Sequence, residues 1–415
     1  MSTFKFDFNI SQNDENIIES TSDIQSSSSN PNLRRPQQQQ QQHHYEHQQI
    51  IDHPTNIKEN DNEQQKRMPL SIINIHELLL HIDQCHQWKH GIIDLRNSLE
   101  DMRKESNDSD TPLPQLSSSP SFLKRIVHTE RPFGNDGNNP NDNIGIDLLD
   151  HNNNMDIIPG KYEGGLKVWE CSIDLCNFLF EKIQFIYSKR QCMEEVNSFN
   201  DIVTNAIYKA LSNGGSTVEL GCGHALPGCL LLREIINIHH DASMTKPLSP
   251  PTAPTVLFTD YNSFVLRDVT LPNIILNCIN KNNHKHPTLS SITKLIAGDW
   301  MELSKQIKTN KRLQEELNLS CDTKDNCSRF DLILASETTY TVTSSKETAY
   351  WLFHHLKYNT GVGLVSMKRF YFGVGGSTDS FRESALSIGL TVDLLREYND
   401  GSSNIRDLLM VRLLG

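Results

Sequence analysis

The stretch Val218-Glu219-Leu220-Gly221-Cys222-Gly223-His224-Ala225-Leu226-Pro227-Gly228 decides how this chain folds. A short apolar run over 217–220 enters a Gly-x-Gly loop, and a helical pattern over 230–238 follows. Glycine accepts positive φ and carries no Cβ, so such a loop can bring its backbone close to a ligand. In open α/β sheets ligands bind beyond the carboxyl ends of the strands. A plain glycine turn has the same string, so the loop needs support from the rest of the chain.

That support comes from both sides. Upstream, 169–187 reads as a helix with Leu175, Phe178, Leu179 and Ile183 along one side. Residues 239–255 carry Pro247, Pro250, Pro251 and Pro254 and read as an inserted loop. Strands are expected at 256–259, 292–297, 331–335 and 361–367, with helices at 264–279, 301–318, 346–358 and 377–389. Alternating strands and helices predict a parallel sheet covered on both faces. The last two strands, 391–398 and 405–413, have no helix between them, so a closing hairpin is expected to place one antiparallel strand in the sheet.

Three further strand ends carry chemistry suited to a ligand. Asp260 ends the second strand in Phe258-Thr259-Asp260-Tyr261-Asn262, where a carboxylate would take ribose hydroxyls. Its distance from the loop exceeds the usual ~20 residues, and the 239–255 insertion accounts for the excess. Gly298-Asp299-Trp300 follows the third strand; its indole suits an adenine face, with Asp299 near the exocyclic amine, or else Trp300 is core. Ala335-Ser336-Glu337-Thr338-Thr339-Tyr340 follows the fourth and puts a carboxylate and a phenol at the crevice mouth, or else forms a helix N-cap. A dinucleotide fingerprint needs a third glycine, and Leu226 stands there. S-adenosylmethionine, with an acid on the first strand such as Glu219, is the better match, and a NAD-linked oxidoreductase is disfavoured.

The rest of the 415 residues bounds the reading. Hydrophobic residues make up only 36%, and even with glycine the total stays below the usual ~45–50% of globular domains. The deficit is local. Residues 1–66 are a low-complexity tail with Ser at 26–29, a Gln/His tract at 37–44 and an alternating Phe4, Phe6, Phe8 opening. Such tracts cannot offset backbone entropy by burial, so the tail is expected to be disordered. Leu70, Ile73, Leu78, Leu79, Ile82 and Trp88 predict a short helical segment within 67–103. Residues 104–155, Pro/Ser- and then Asn/Asp-rich, read as a disordered linker, and 156–415 as the folded domain.

No run of about 18 apolar residues is present, so no transmembrane helix is expected. Residues 1–30 have neither the basic nor the apolar region of a secretory signal, which leaves cytoplasm and nucleus as the expected compartments. None of the nine cysteines forms a CxxC pair, so no zinc site or disulfide framework is expected. The cluster His43, His44, His47 is not taken as a biological metal site, and no metal is expected elsewhere. A formal net charge of −12 is opposite to that of most nucleic-acid-binding modules and tolerates a basic partner.

With these residues in place the chain resembles the class I, seven-β-strand S-adenosylmethionine-dependent methyltransferases. Within them it is similar to the branch with Asp/Glu-x-x-Tyr after strand four, here Glu337-Thr338-Thr339-Tyr340. Two segments narrow the resemblance: Pro159-Gly160-Lys161-Tyr162-Glu163-Gly164-Gly165-Leu166-Lys167-Val168-Trp169-Glu170-Cys171, and Tyr371-Phe372-Gly373-Val374-Gly375-Gly376. Together with Asp260-Tyr261-Asn262 and Thr270-Leu271-Pro272-Asn273, they resemble the eukaryotic protein-histidine methyltransferases, over about 156–415. The Gln/His and Asn-rich stretches depart from the family pattern.

The resemblance implies a seven-stranded, doubly wound Rossmann-like sheet, mostly parallel with one antiparallel strand. It implies S-adenosyl-L-methionine as cofactor, held by Val168, Trp169, Glu170, Cys171, Ser172, Gly221, Gly223, Asp260, Tyr261, Asn262, Gly298, Asp299, Trp300 and Ser336, and Glu219 on the first strand is counted with these cofactor residues. It implies methylation of a histidine in a basic large-subunit ribosomal protein by a monomeric enzyme without direct nucleic-acid or membrane contact. A lysine methyltransferase of the same branch and a non-catalytic binding protein remain alternatives. Glu337 and Tyr340 are the catalytic candidates, to hold the second ring nitrogen and take its proton, with Asn262 behind them. Gly373 to Gly376 are expected to admit a peptide backbone, Cys222 to be an apolar filler, and His224 to be a local hydrogen-bonding group.

Overall fold

The structure is a computed structural model that describes residues 69–73, 90–95, 122–126, 157, 162–192, 200–242, 253–279, 287–317, 319–321, 328–399, 401 and 404–415. The 1–66 tail, with Phe4, Phe6, Phe8 and the His43/His44/His47 cluster, lies outside these residues, as do most of 104–155 and of the 239–255 insertion. In chain order come β1 (Ser71–Ile72), β2 (His90–Asp94), β3 (Phe122–Ile126), α1 (Glu170–Cys192), α2 (Ile202–Leu211), β4 (Ser216–Leu220), α3 (Leu226–Ala242) and β5 (Thr255–Asp260). A helix over 263–278 (α4) follows, interrupted by a π turn at Leu266–Thr270; then α5 (Pro287–Ile292), β6 (Thr293–Ala297), α6 (Trp300–Thr309) and α7 (Lys311–Glu316). The short pair β7 (Ser320–Cys321) and β8 (Ser328–Arg329) leads to β9 (Leu332–Ser336), α8 (Val342–His355), β10 (Val362–Lys368), α9 (Thr378–Ser387), β11 (Leu390–Tyr398) and β12 (Arg406–Leu413).

The main sheet has the order β1-β6-β5-β4-β9-β10-β12-β11. Seven of these strands match the expected sheet. β6, β5, β4, β9 and β10 run parallel, and β12 runs antiparallel between β10 and β11. The sequence reading differs on the eighth. Residues 71–72, expected within a helical segment, instead add antiparallel to β6, with Ser71 opposite Ala297 and Ile72 opposite Ile296. Apolar spacing alone does not separate these outcomes; the open edge of β6, more than 200 residues downstream, decides. β2 and β3 form a hairpin in the regions read as helical segment and linker. Its period is two: Ile93 and Leu123 are buried, and Ile92 is exposed. Asn277 on α4 ties the hairpin down, donating to Lys124 O at 2.7 Å and accepting from Lys124 N at 2.8 Å.

Alternation along each central strand builds two cores. Leu332 and Leu334 of β9, Val362 and Leu364 of β10, and Leu408 and Met410 of β12 face the layer of α1 to α4. Val218 and Leu220 of β4, Ile333 and Ala335 of β9, and Val365 and Met367 of β10 face α6, α8 and α9, whose Trp351, Leu352 and Phe381 fill the other side. Successive side chains of a strand point to opposite faces, so strands buried on both faces carry near-continuous apolar runs. β4 and β9 are neighbours although β5 and β6 with their helices lie between them in sequence. The chain winds outward from β4 through β5 and β6 and returns to start again at β9, and this reversal of direction opens a crevice at the carboxyl ends of the two strands.

Candidate functional site

At that crevice lies a cavity of about 950 Å³, lined by groups from every strand end the sequence singled out. Its floor is the loop after β4. Gly221 and Gly223 have φ of 57° and 48°. A Cβ on Gly221 would stand 3.1 Å from the Trp300 ring, and one on Gly223 would stand 3.2 Å from the backbone of Gly165. The loop is held in shape by Thr270, whose hydroxyl donates to Gly223 O at 2.6 Å, and by Asp260.

Asp260 organises rather than merely borders the site. Its carboxylate accepts from Gly223 N at 3.0 Å and from Asn262 N at 3.1 Å. Burial outweighs these two amides and pushes its pKa up to about 6. Gly165 has to be glycine here, since a Cβ would fall 2.6 Å from Val265 and 3.2 Å from the Asp260 carboxylate. The Tyr162 hydroxyl accepts from Leu166 N at 2.8 Å, and the Trp169 indole donates to Gly164 O at 3.2 Å, so 162–169 forms a tied turn over the loop. Sequence spacing could not reveal this approach of Gly165 to Gly223; only the paired glycines hinted at a tight backbone contact.

Of the expected cofactor residues, Val168, Trp169, Ser172, Gly221, Gly223, Asp260, Tyr261, Asp299, Trp300 and Ser336 line the cavity. Five do not. Glu219 is buried behind the loop, where it accepts from Gly228 N at 2.8 Å at the start of α3; burial pushes its pKa up to about 8. Gly298 admits a different neighbour: a Cβ there would meet Leu70 and Pro69 O at 2.9 Å. Cys171 is wholly buried, and Asn262 turns toward Glu163, whose backbone N–H it accepts at 3.4 Å. Glu170, largely exposed, faces Lys368 at 3.5 Å. Asp299 lines the wall but also caps α6, accepting from Met301 N at 2.9 Å and Glu302 N at 3.0 Å. The sequence missed the lining residues Glu163, Gly165, Lys167, Thr338 and Glu347.

Glu337 and Tyr340 both line the cavity, yet each has its own partner. Tyr340 hydrogen-bonds the carboxylate of Glu163, 177 residues away in sequence. Glu337 is nearly buried, has φ of 57°, and donates its backbone N–H to Ser366 O at 3.0 Å. A left-handed conformation costs a non-glycine residue about 1–2 kcal/mol. Its Oε1 has no hydrogen-bond partner; Lys368 Nζ lies 3.8 Å away. Burial raises the Glu337 pKa, opposed first by the Lys368 charge and then by hydrogen bonds with Cys171 and Tyr371. The N-cap of the following helix is Thr341, reciprocally bonded with Ser344, so Glu337 is not spent on capping.

His224 is a local hydrogen-bonding group, as expected. Asn273 donates to its Nδ1 at 3.1 Å, which leaves the Nε2 proton directed at Leu166 O, also 3.1 Å away. Cys222 is buried, and burial raises its thiol pKa. Among the described residues no group of three or more His, Cys, Asp or Glu could hold a metal ion.

The arrangement fits S-adenosyl-L-methionine. Glycines open the floor, the Trp300 ring lies against Gly221, and the buried Trp300 Nε1 lacks a partner. Asp260 supplies a carboxylate fixed by two backbone amides. The size suits a nucleoside joined to an amino acid, since ligand pockets span roughly 300–1,000 Å³.

Comparison with known proteins agrees with this chemistry. The chain is 31% identical over 259 residues to "Histidine protein methyltransferase 1 homolog" of Dictyostelium discoideum, covering 62% of this chain and 60% of that protein. It is 33% identical over 262 residues to "Histidine protein methyltransferase 1" of Schizosaccharomyces pombe, covering 60% and 65%. With the homolog of Mus musculus the identity is 29% over 243 residues, covering 55% and 51%. The chain thus spans between half and two thirds of the length of these curated relatives. No protein-family model matches it. By sequence the chain is similar to the histidine protein methyltransferases over 55–62% of its length, and the lining of its cavity suits S-adenosyl-L-methionine.

Proposed function

We propose that this protein transfers a methyl group to a histidine imidazole of a protein substrate, a basic large-subunit ribosomal protein. One observation carries the reading. The cavity that fits the cofactor is also lined by Glu337, Glu163 and Tyr340, in a chain similar to histidine protein methyltransferases. We further propose that it acts as a monomer in the cytoplasm and nucleus, without direct nucleic-acid contact.

S-adenosyl-L-methionine, when bound, supplies a methyl group activated by a sulfonium. Gly221, Gly223, Asp260 and Trp300 would hold it. The protein has to deliver a neutral imidazole with its lone pair aimed inward. With an unperturbed pKa near 6.5, much histidine is already neutral at pH 7, so a strong base is not needed and positioning supplies most of the rate. One ring nitrogen attacks; the proton on the other has to be held and then released. Glu337 is the candidate to hold it, a nearly buried carboxylate that lines the cavity and has one oxygen without a hydrogen-bond partner. Tyr340, hydrogen-bonded to Glu163, would orient the ring.

The test uses the purified full chain, labelled S-adenosylmethionine and large-subunit ribosomal proteins from cells lacking the modification. Label recovered as methylhistidine after hydrolysis is the expected result. Label in methyllysine would replace histidine by lysine as the target. Cofactor binding without label in any protein would overturn the enzymatic reading.

A further inference from the structure

Beside the cavity mouth lies an apolar surface that the reaction does not use. Phe372 is 79% exposed, Phe370 52% and Val374 50%, and Val342 at the start of α8 is 46% exposed. They form two neighbouring pairs on and beside one loop. The Phe370 and Phe372 rings are 6.4 Å apart. Val374 lines the cavity itself, and Val342 lies 4.0 Å from the Cβ position of Gly375.

The loop that carries them is not loose. Tyr371 N donates to Gly376 O at 2.9 Å, Gly375 N to Tyr371 O at 3.1 Å, and Gly376 N to Tyr340 O at 3.0 Å. Tyr371 packs on the core and its hydroxyl accepts from Lys368 N at 3.1 Å. A Cβ on Gly376 would stand 2.3 Å from Thr339 O. Gly376 therefore lets the loop close on its own 339–341 neighbour, while a Cβ on Gly373 would meet nothing within 4 Å. The fold is served by Tyr371; nothing in it requires large apolar side chains on the outer side. A fixed loop that keeps phenylalanines in water is a preorganised contact surface.

Charge identifies the occupant. The ionisable residues lining the adjoining cavity, leaving His224 aside, include Glu163, Asp260, Asp299, Glu337 and Glu347 against Lys167. Resting on the reading above, we propose that Phe370, Phe372, Val374 and Val342 dock the substrate polypeptide on one side of its target residue. The docked segment carries apolar side chains for this patch and basic ones for the acidic mouth. Phe372 is then a specificity-determining residue that acts on substrate capture and not on methyl transfer.

The test measures binding of fluorescent twelve-residue peptides to the full chain saturated with S-adenosylhomocysteine. Each peptide has one central histidine flanked by Leu and Phe on one side and Lys and Arg on the other. Replacing Leu/Phe by Ser, or Lys/Arg by Glu, is expected to weaken binding at least tenfold. F372S should weaken the parent peptide at least fivefold, and F372L should restore it to within twofold, with cofactor affinity unchanged in both. Absence of peptide binding, equal binding of the acidic peptide, or no effect of F372S would overturn the proposal. So would a concentration-dependent dimer in sedimentation that F372S dissolves, because the occupant would then be a second copy. Phe372-dependent binding without methylhistidine would overturn the activity and leave the docking surface standing. Methylhistidine formed with the same half-saturation by F372S and the parent chain would do the reverse.

Discussion

Two buried carboxylates stand at opposite ends of the same strand and are treated differently. Asp331, just before β9, accepts from Ser216 N and Ser216 Oγ at 3.1 Å and from Lys357 Nζ at 2.8 Å. Its backbone is hydrogen-bonded too, with Asp331 N donating to Ser216 O at 3.0 Å. Glu337, just after β9, sits in a left-handed conformation with one oxygen unpaired and its lysine 3.8 Å away. The carboxylate at the amino end of β9 thus has three donors, and the one at its carboxyl end keeps an oxygen without a partner. Unsatisfied groups and strained backbones persist where the surrounding structure over-determines them, and they cluster at functional sites.

The contrast can be broken at either end. Asp331→Ala removes one side of a buried ion pair that also holds β4, and such losses cost about 3–5 kcal/mol. A lower urea midpoint with unchanged cofactor affinity is the expected outcome; a shift below about 1 kcal/mol would remove Asp331 as the sheet's anchor. Glu337→Gln should do the opposite, keeping the urea midpoint near the parent value while lowering kcat about 10²-fold or more, the scale of general acid–base effects. Unchanged turnover would take Glu337 out of the mechanism.

Glu219 sharpens the comparison through pH. Its pKa is about 8 in the fold, against roughly 4.3 in an unfolded chain. The folded state therefore binds the proton more tightly, and the stability this confers is full below about pH 4.3 and lost as pH rises through about 8. Thermal melts of Glu219→Gln should fall less steeply over that window, with a higher Tm than the parent at pH 8. The smallest effect is expected from Lys368→Met. Removing the ammonium that lowers the Glu337 pKa should move the acidic limb of the kcat profile to higher pH; a move to lower pH would show that Lys368 does not tune Glu337.

What the sequence conveyed follows from range. The loop at Gly221 and Gly223, the strand ends at Asp260, Trp300 and Glu337, and the antiparallel β12 depend on spacing within one or two elements, and all were legible. The partners of those groups were not. Glu163 meets Tyr340 across 177 residues, and β1 exists only because β6 offers it an edge. Glu219 and Gly298 were placed in the right neighbourhood with the wrong job: each serves packing behind the site, which a motif cannot distinguish from lining it.

The position of β12 has a consequence for synthesis. It lies between β10 and β11 although it follows both in the chain. A nascent polypeptide that ends anywhere before residue 406 leaves β10 with an open edge and β11 without its neighbour. Registration of the sheet therefore waits for Arg406–Leu413 to emerge, and until then an unpaired strand edge is exposed to other chains.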